Sequence, residues 1–501
     1  MRKRIKNIKK FVDNPIQVQE SVFNYLIKKG IKTKFGEDHQ FEKITNYITF
    51  KNQIPIRTYE DFDHYITKIR KGGEDILWPG KINWFAKSSG TINNKSKFIP
   101  VTKESLEDCH FKAGKDMLSI YENNFPKINI YNGKGIMLGG SMTKSKKRKF
   151  KDGDLSAILL DEFPFWVNYH RVPDINTALM KEWDEKLDKI AKQAINENIT
   201  NLTGVPSWML ILLKRILQLS GKNNILELWP NLELYMHGGV NFEPYRQQFE
   251  EIIPSDKMNY LEGYNASEGF FGVQDKNPSE GILLMLDYGI FYEFIPMYKY
   301  RNGKTDAINL SEVELNRDYA LIITTNGGLW RYVIGDVIKF TSLFPFRIKI
   351  TGRTESYVNA FGEELMVHNT DTAISNTCKQ FKCSIIDYTV APIFITKKSG
   401  GHQWFIEFAN KPRNLNLFMK EIDWQIQQLN SDYEAKRNNN LILQEPELVV
   451  IENNEFYIWL KNNRKLGGQN KIPRLSNNRE IAEKILYIKK KFSTKTTTNG
   501  K

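Results

Sequence analysis

Cysteine is almost missing from this chain: Cys109, Cys378 and Cys383 are the only three in 501 residues. None belongs to a CxxC pair or stands with histidines at metal-ligand spacing. That scarcity argues against a disulfide framework or a structural zinc and points to a reducing, cytoplasmic setting. Long apolar runs are missing too. The densest, Trp208 to Leu213, soon meets Lys214 and Arg215, far short of the roughly 20 residues of a membrane span. The basic start Met1-Arg2-Lys3-Arg4 leads to Asp13, Asn14, Gln17, Gln19 and Glu20, where a signal peptide needs its apolar core, so export is not expected. A Walker loop is absent, because Gly80-Lys81 is followed by Ile82. Gly133, Gly135 and Gly139 miss the dinucleotide fingerprint by one residue.

Charge is abundant but one-sided, with a formal net charge of +14. Such a balance invites a nucleic-acid reading. Lys, Asn and Ile, however, are plentiful throughout, as in a general composition bias, and the aromatic-and-basic interleaving of known RNA-binding modules is not found. No specific nucleic-acid or membrane partner is therefore expected. Two basic clusters stand out. Residues 144–149 lie between Gly139-Gly140 and Gly153, a loop tip suited to guiding an anionic substrate. Lys489-Lys490-Lys491 opens a Ser/Thr/Lys tail, 489–501, whose composition predicts disorder.

A hydrophobic share of 41% is enough for a large core in more than one domain. Asn14-Pro15 followed by Val18, Val22, Phe23, Leu26 and Ile27 predicts a helix. A short strand at Asn83 to Ala86 delivers the chain into Ser88-Ser89-Gly90-Thr91. A second, from Leu232 to Met236, ends in His237-Gly238-Gly239, and Leu261 precedes a loop beginning at Tyr264. Polar residues just past strand ends are where an α/β sheet meets its ligand. After Pro278-Ser279 the period becomes strand-like: 282–285, 290–295, 320–325, a Gly327-Gly328 turn, 329–340 and 347–351. Beyond it come a helix at 367–381, a hairpin of 385–396 and 404–408 around Gly400-Gly401, a helix at 415–436, and a last hairpin at 448–459. The expected architecture is α/β: a large N-terminal domain, 1–353, with mixed sheets and a β-rich subdomain, and a small α+β C-terminal domain, 354–488.

Four motifs in fixed order carry chemistry. Ser88, Ser89 and Thr91 offer hydroxyls around a turn that Gly90 lets close on an anion, with Lys97 behind it for departing phosphates. In Tyr264-Asn265-Ala266-Ser267-Glu268-Gly269 a ring can stack on a base, Ser267 can bond a phosphate and Glu268 can hold Mg2+. In Arg331-Tyr332-Val333-Ile334-Gly335-Asp336 the acid sits among β-formers, an odd core choice unless it accepts bonds from a ribose. Arg353, in Gly352-Arg353-Thr354-Glu355, can reach the same sugar or the α-phosphate. Gly238-Gly239 would let backbone lie against a purine. Each motif alone also reads as an ordinary turn or surface pair; the order and spacing of all four describe a nucleotide site.

These residues, together with Gly153-Asp154-Leu155-Ser156 and Phe291-Tyr292-Glu293-Phe294, resemble the ANL superfamily of adenylate-forming enzymes. The resemblance is closer to the plant auxin-responsive promoter (Gretchen Hagen) acyl-acid amido synthetases and their bacterial branch, and runs from the Asn14-Pro15 helix to Gln469-Asn470-Lys471-Ile472-Pro473-Arg474. It implies ATP and Mg2+, a small mobile C-terminal domain, and roles residue by residue. Ser88, Ser89 and Thr91 hold phosphates, Tyr264 and the Gly238-Gly239 backbone flank adenine, Glu268 binds Mg2+, Asp336 binds ribose, and Lys471 is the catalytic lysine. One departure is Ile92-Asn93-Asn94, where many relatives have further glycines. The activity implied is adenylation of a carboxylic acid, then acyl transfer to an amine such as that of an amino acid. An acyl-CoA ligase and a noncatalytic nucleotide binder are the alternatives.

Overall fold

The computed structural model describes residues 2–88, 97–143, 150–276, 280–354, 357–358, 360, 363, 365–394, 400–437, 442–452, 454–463, 466 and 471–498. Its contacts divide the chain into two compact units. The first is Met1–Val205, Leu212–Gly239 and Ser255–Ile350; the second is Pro206–Ile211, Val240–Pro254 and Thr351–Lys501. The helix Glu243–Ile252 therefore packs with C-terminal elements, an arrangement that a single cut near residue 354 does not contain.

In the first unit the expected helix is Pro15–Gly30, with proline in its first turn and Phe23, Leu26 and Ile27 buried. A helix not foreseen, Arg2–Asp13, precedes it; its buried Ile8 and Phe11 are masked in the sequence by six surrounding basic residues. Gln19 is buried on the second helix and bonds backbone in place of water: its Nε2 donates to Leu286 O and Ile290 O at 2.9 Å, and its Oε1 accepts from Tyr292 N at 3.0 Å.

Among the described residues, twelve strands join in one sheet. One half is parallel, with Arg171–Val172, Lys134–Met137, Ile199–Gly204, Leu234–His237 and Asn259–Ala266 side by side. From Asn259–Ala266 the neighbours turn antiparallel through Gly269–Val273, Ile282–Leu284 and Phe346–Arg353. The sheet continues to Tyr332–Leu343, Asp318–Thr325, Ile290–Pro296 and Ile308–Asn309. Ile290–Pro296 is buried at every position, which is why its sequence is a continuous apolar run broken only by Glu293. A smaller sheet orders Lys97–Val101, Trp84–Ser88, Lys151–Gly153 and Met142–Thr143.

The second unit pairs Ser384–Phe394 antiparallel with Gly400–Asn410 and covers them with the helices Val367–Phe381 and Leu415–Leu429. Ile374, Tyr388, Trp404, Ile406, Phe418 and Ile422 form its core. Three expectations are corrected here. The helix predicted over 415–436 breaks at Asn430 into Leu415–Leu429 and Ser431–Arg437. The last hairpin is instead a strand, Glu447–Ile451, parallel to Gly400–Asn410, followed by a helix, Glu455–Asn462. Aromatic residues there suggested a strand, but Phe456, Trp459 and Leu460 recur at helical spacing and are buried together. The final helix, Glu480–Thr498, runs through the basic stretch whose composition predicted disorder from Lys489, because Ala482, Ile485 and Ile488 bury one stripe.

Candidate active site

The Tyr264 motif, expected as a loop, is a tight hairpin: strand Asn259–Ala266, the two residues Ser267-Glu268, and strand Gly269–Val273, with Ala266 opposite Gly269. Tyr264 is only 5% exposed, and its ring packs on Phe271 at 4.8 Å. Its hydroxyl donates to Asp336 Oδ2 at 2.6 Å, a short charge-assisted bond that ties the second motif to the third. In this structure the ring thus leans on protein while the phenol aims the carboxylate.

Asp336 owes its place to an irregularity. In the strand pair Asp318–Thr325 and Tyr332–Leu343, Ala320 faces Val337 and Ile322 faces Val333, so Leu321 alone lies opposite Ile334, Gly335 and Asp336. Gly335 takes φ +89°, which a side chain would oppose. The resulting bulge re-aims the acid, as bulges beside active sites do.

The start of that strand is held by residues to which the sequence reading gave no role. Arg331 has φ +50°, and its Nη2 donates to Glu293 Oε1 at 2.8 Å. Its Nη1 donates to Lys51 O at 2.9 Å and to Ile54 O at 2.5 Å. The side chains of Arg331 and Glu293 are 3% and 1% exposed. Tyr47 adds a hydroxyl to Glu293 at 3.0 Å, and burial pushes its own ionisation far up. The signal available in the sequence was a pair of opposite charges, each alone in an apolar β-run.

Glu268 accepts a long bond from Tyr332 Oη at 3.5 Å. Beside it Ser267 is 4% exposed and its Oγ has no partner among the described residues. The Oδ1 of Asn265 and the Nδ1 of His110 are also buried and unpartnered there. His110 lies against Asn265, and burial lowers its pKa to about 4, keeping the ring neutral. Its neighbour Cys109 is locked to the hairpin, the Sγ accepting from Phe270 N at 3.2 Å, and burial raises that thiol to about 12. A buried polar atom left unpaired costs about 1–3 kcal/mol and marks where a ligand or water belongs. Neither His110 nor Cys109 was expected in the site.

Gly238 and Gly239 follow the strand Leu234–His237. A Cβ on Gly238 would lie 2.2 Å from Gly263 O, and Gly239 has φ +80°, so the chain here must stay bare backbone. Ser88 and Lys97 face each other across the strand pair Trp84–Ser88 and Lys97–Val101. Lys97 Nζ is 5.7 Å from the Tyr59 ring centroid. Ser89, Gly90 and Thr91, with the Ile92-Asn93-Asn94 departure, lie outside the described residues, as does the basic cluster 144–149. The Gly139-Gly140-Ser141 turn before that cluster is clamped by three side chains. Lys186 Nζ donates to Gly139 O and Gly140 O at 2.7 and 2.8 Å, Asp154 Oδ2 accepts from Ser141 N at 2.7 Å, and Ser156 Oγ accepts from Gly140 N at 2.9 Å. Burial lowers Lys186 to about 8 and raises Asp154.

Arg353 and Lys471 belong to the second unit. Arg353 closes the strand Phe346–Arg353 and is half-buried; Lys471 is exposed and next to buried Ile472. Among the described residues no three His, Cys, Asp or Glu side chains gather into a metal cage, and no described helix is long and apolar enough to cross a membrane.

Residues 4–258 match the GH3 family N-terminal domain, 283–353 its central domain and 368–480 its C-terminal domain. The chain is 22% identical to the indole-3-acetic acid-amido synthetase GH3.3 of Arabidopsis thaliana, over 91% of this chain and 88% of that protein. Its fold is that of the acyl acid amido synthetase AtGH3.15 solved with 2,4-DB, at TM-score 0.79 and 17% identity over 97% of this chain and 95% of that one. A 2-hydroxyisobutyryl-CoA ligase in the postadenylation state is similar at TM-score 0.60 and 11% identity, over 94% and 91% of the two chains. Matched over more than half its length by the first of these domains and over most of the remainder by the other two, this chain belongs to the GH3 family.

Proposed function

We propose that this protein is an ATP-dependent acyl acid amido synthetase. A carboxylate oxygen attacks the α-phosphorus of ATP and pyrophosphate leaves, giving an acyl-adenylate. An amine, that of an amino acid, then attacks the acyl carbon, AMP leaves with the bonding electrons, and the amide forms as the nitrogen gives up a proton. Activation is needed because a carboxylate is a poor electrophile, and holding both reactants in one orientation supplies much of the rate.

The observation that carries the reading is the Tyr264–Asp336 bond at 2.6 Å, which joins two motifs far apart in sequence around one carboxylate. Fixed by the phenol and the bulge, Asp336 is the acceptor for a ribose hydroxyl, and Arg353 is the cation for the same sugar or the α-phosphate. Ser267 Oγ, a buried donor without an acceptor, suits a phosphate oxygen. Ser88, Ser89, Gly90 and Thr91 are the phosphate turn, with Lys97 behind it. Gly238 and Gly239 offer flat backbone to adenine, with Tyr264 on its other side. Mg2+, which takes one or two carboxylates together with substrate phosphates, would neutralise phosphate charge, and Glu268 is the residue we place on it. Lys471 is assigned to the negative charge that grows on the carboxylate and α-phosphate oxygens. The domains that go with this reading are an adenylation domain, 1–353, and a C-terminal domain, 354–488, in a cytoplasmic enzyme.

The test is pyrophosphate release from ATP over a broad panel of carboxylic acids, with and without pooled amino acids. Acid-dependent release that quickens with amino acids is the expected result and identifies both substrates. AMP release that requires CoA instead would make this a thioester-forming ligase. Silence across the panel from folded protein that binds ATP would count against catalysis.

A further inference from the structure

The lysine assigned to adenylation sits on a segment with little structure of its own. Residues 472–476 form no strand beyond the isolated bridge between Leu475 and Val390. Val390 N donates to Arg474 O at 2.9 Å, and Ser476 N donates to Val390 O at 3.1 Å. Thr389 Oγ1 adds a bond to Pro473 O at 2.6 Å.

One side chain does most of the anchoring. Arg474, three residues beyond Lys471, is 11% exposed and inserts among groups from three elements. Its Nη1 bonds Asp387 and also donates to Tyr388 O at 3.1 Å, both on Ser384–Phe394. Its Nε lies 3.6 Å from Asp371 Oδ1, on Val367–Phe381. Its Nη2 donates to Tyr245 Oη at 2.8 Å, on Glu243–Ile252. The guanidinium stacks over the Tyr388 ring at 4.4 Å, and that phenol donates to Asp371 Oδ1 at 2.6 Å. The planar cation thus meets two carboxylates, a carbonyl, a phenol and a ring. Lysine, a point charge, cannot reproduce this.

We propose that Arg474 is a positioning residue for adenylation: by pinning residues 472–475 to the strand Ser384–Phe394 and to the helices Val367–Phe381 and Glu243–Ile252, it sets where Lys471 projects. This rests on the role given to Lys471 above. Arg474 touches neither substrate nor nucleotide in this account; it acts through the lysine.

The test compares the full-length protein with Lys471→Ala, Arg474→Met, Arg474→Lys and the double variant K471A/R474M. The probe reaction is ATP–pyrophosphate exchange with the acid giving the fastest wild-type exchange, alongside hydrogen exchange of residues 472–476. Arg474→Met is expected to slow exchange about a hundredfold, the cost of misplacing a catalytic group by about 1 Å. KM for ATP is expected to stay unchanged, the double variant to be no slower than K471A alone, and Arg474→Lys to recover part of the loss. Amide protection of 472–476 is expected to fall about tenfold. Losses that add in the double variant, or wild-type exchange in Arg474→Met while K471A is slow, would overturn the proposal. K471A as fast as wild type would instead remove the role given to the lysine, while hydrogen exchange still judges the anchor, and undiminished protection in Arg474→Met would refute it. Should Arg474→Met fail to fold, Thr389→Val removes one bond to Pro473 and is expected to slow exchange about tenfold by the same route.

Discussion

The two units hold the residues proposed for the site by opposite means. In the first, Asp336 and Glu268 ride on strands and a hairpin of a large sheet, each bonded by a buried tyrosine. The strand under Asp336 starts from the buried Arg331–Glu293 pair. In the second, Lys471 is exposed on a short segment held by a few bonds to Thr389 and Val390 and by the side chain of Arg474. On the roles proposed above, ligand shape would be read by groups built into the sheet, whereas placing one charge would require only that one segment be held.

The largest effect is expected at Glu293 of the first unit. Glu293→Gln leaves Arg331 as a buried cation without its counter-charge, and chemical denaturation should show a loss of about 3–5 kcal/mol. Next in size is the response to pH. Burial takes His110 of the first unit from 6.5 down to about 4. The unfolded chain then binds the proton first, so this group's contribution is present above pH 6.5 and is lost as pH falls through 4, by up to about 3 kcal/mol. Glu407 of the second unit is raised from 4.5 to about 7 by burial, then by Glu455. Its contribution is present below pH 4.5 and is lost as pH rises through 7. Hydrogen exchange of wild type between pH 4 and 8, corrected for intrinsic rates and compared with His110→Gln and Glu407→Gln, should show that the two substitutions remove slopes of opposite sign, and slopes of the same sign would refute the contrast.

Smaller effects sharpen it at the site. Lys471→Ala should slow pyrophosphate formation about a hundredfold, close to 2.7 kcal/mol, with ATP affinity held; unchanged pyrophosphate formation would remove the role given to the lysine. Tyr264→Phe keeps the aromatic ring beside Phe271 and deletes the hydroxyl that bonds Asp336. About a tenfold rise in the ATP requirement, near 1.4 kcal/mol, is expected from steady-state kinetics, and no rise would mean the bulge alone aims the acid.

Much of the local structure was legible. The helix Val367–Phe381 has the predicted ends, because its apolar residues recur at helical spacing up to Lys382, which is left-handed. The strands from 282 to 353 lie where period and turn residues put them. Apart from the break at Asn430, the misread elements share a cause, composition outweighing spacing. Lysines hid the helix Arg2–Asp13 and the extension of Glu480–Thr498, and aromatics suggested a strand where Glu455–Asn462 is helical. At the site, the motifs announced themselves, whereas His110 and Tyr47 did not, and Glu293 and Arg474 stood inside quoted motifs without a role, since a buried polar residue looks like a surface one until its partner is known.

The order of the motifs, the periodic elements that carry them and the family to which the chain belongs are all readable from the residues in order. Which side chains meet is not, and follows from the fold. Tyr264 reaches Asp336 across 72 positions, Arg331 reaches Glu293 across 38, and Arg474 reaches Tyr245 across 229. Local propensity acts over a few residues, while sheet register and burial select partners at any separation, and a charge or hydroxyl taken out of water is stable only where the fold returns a partner to it.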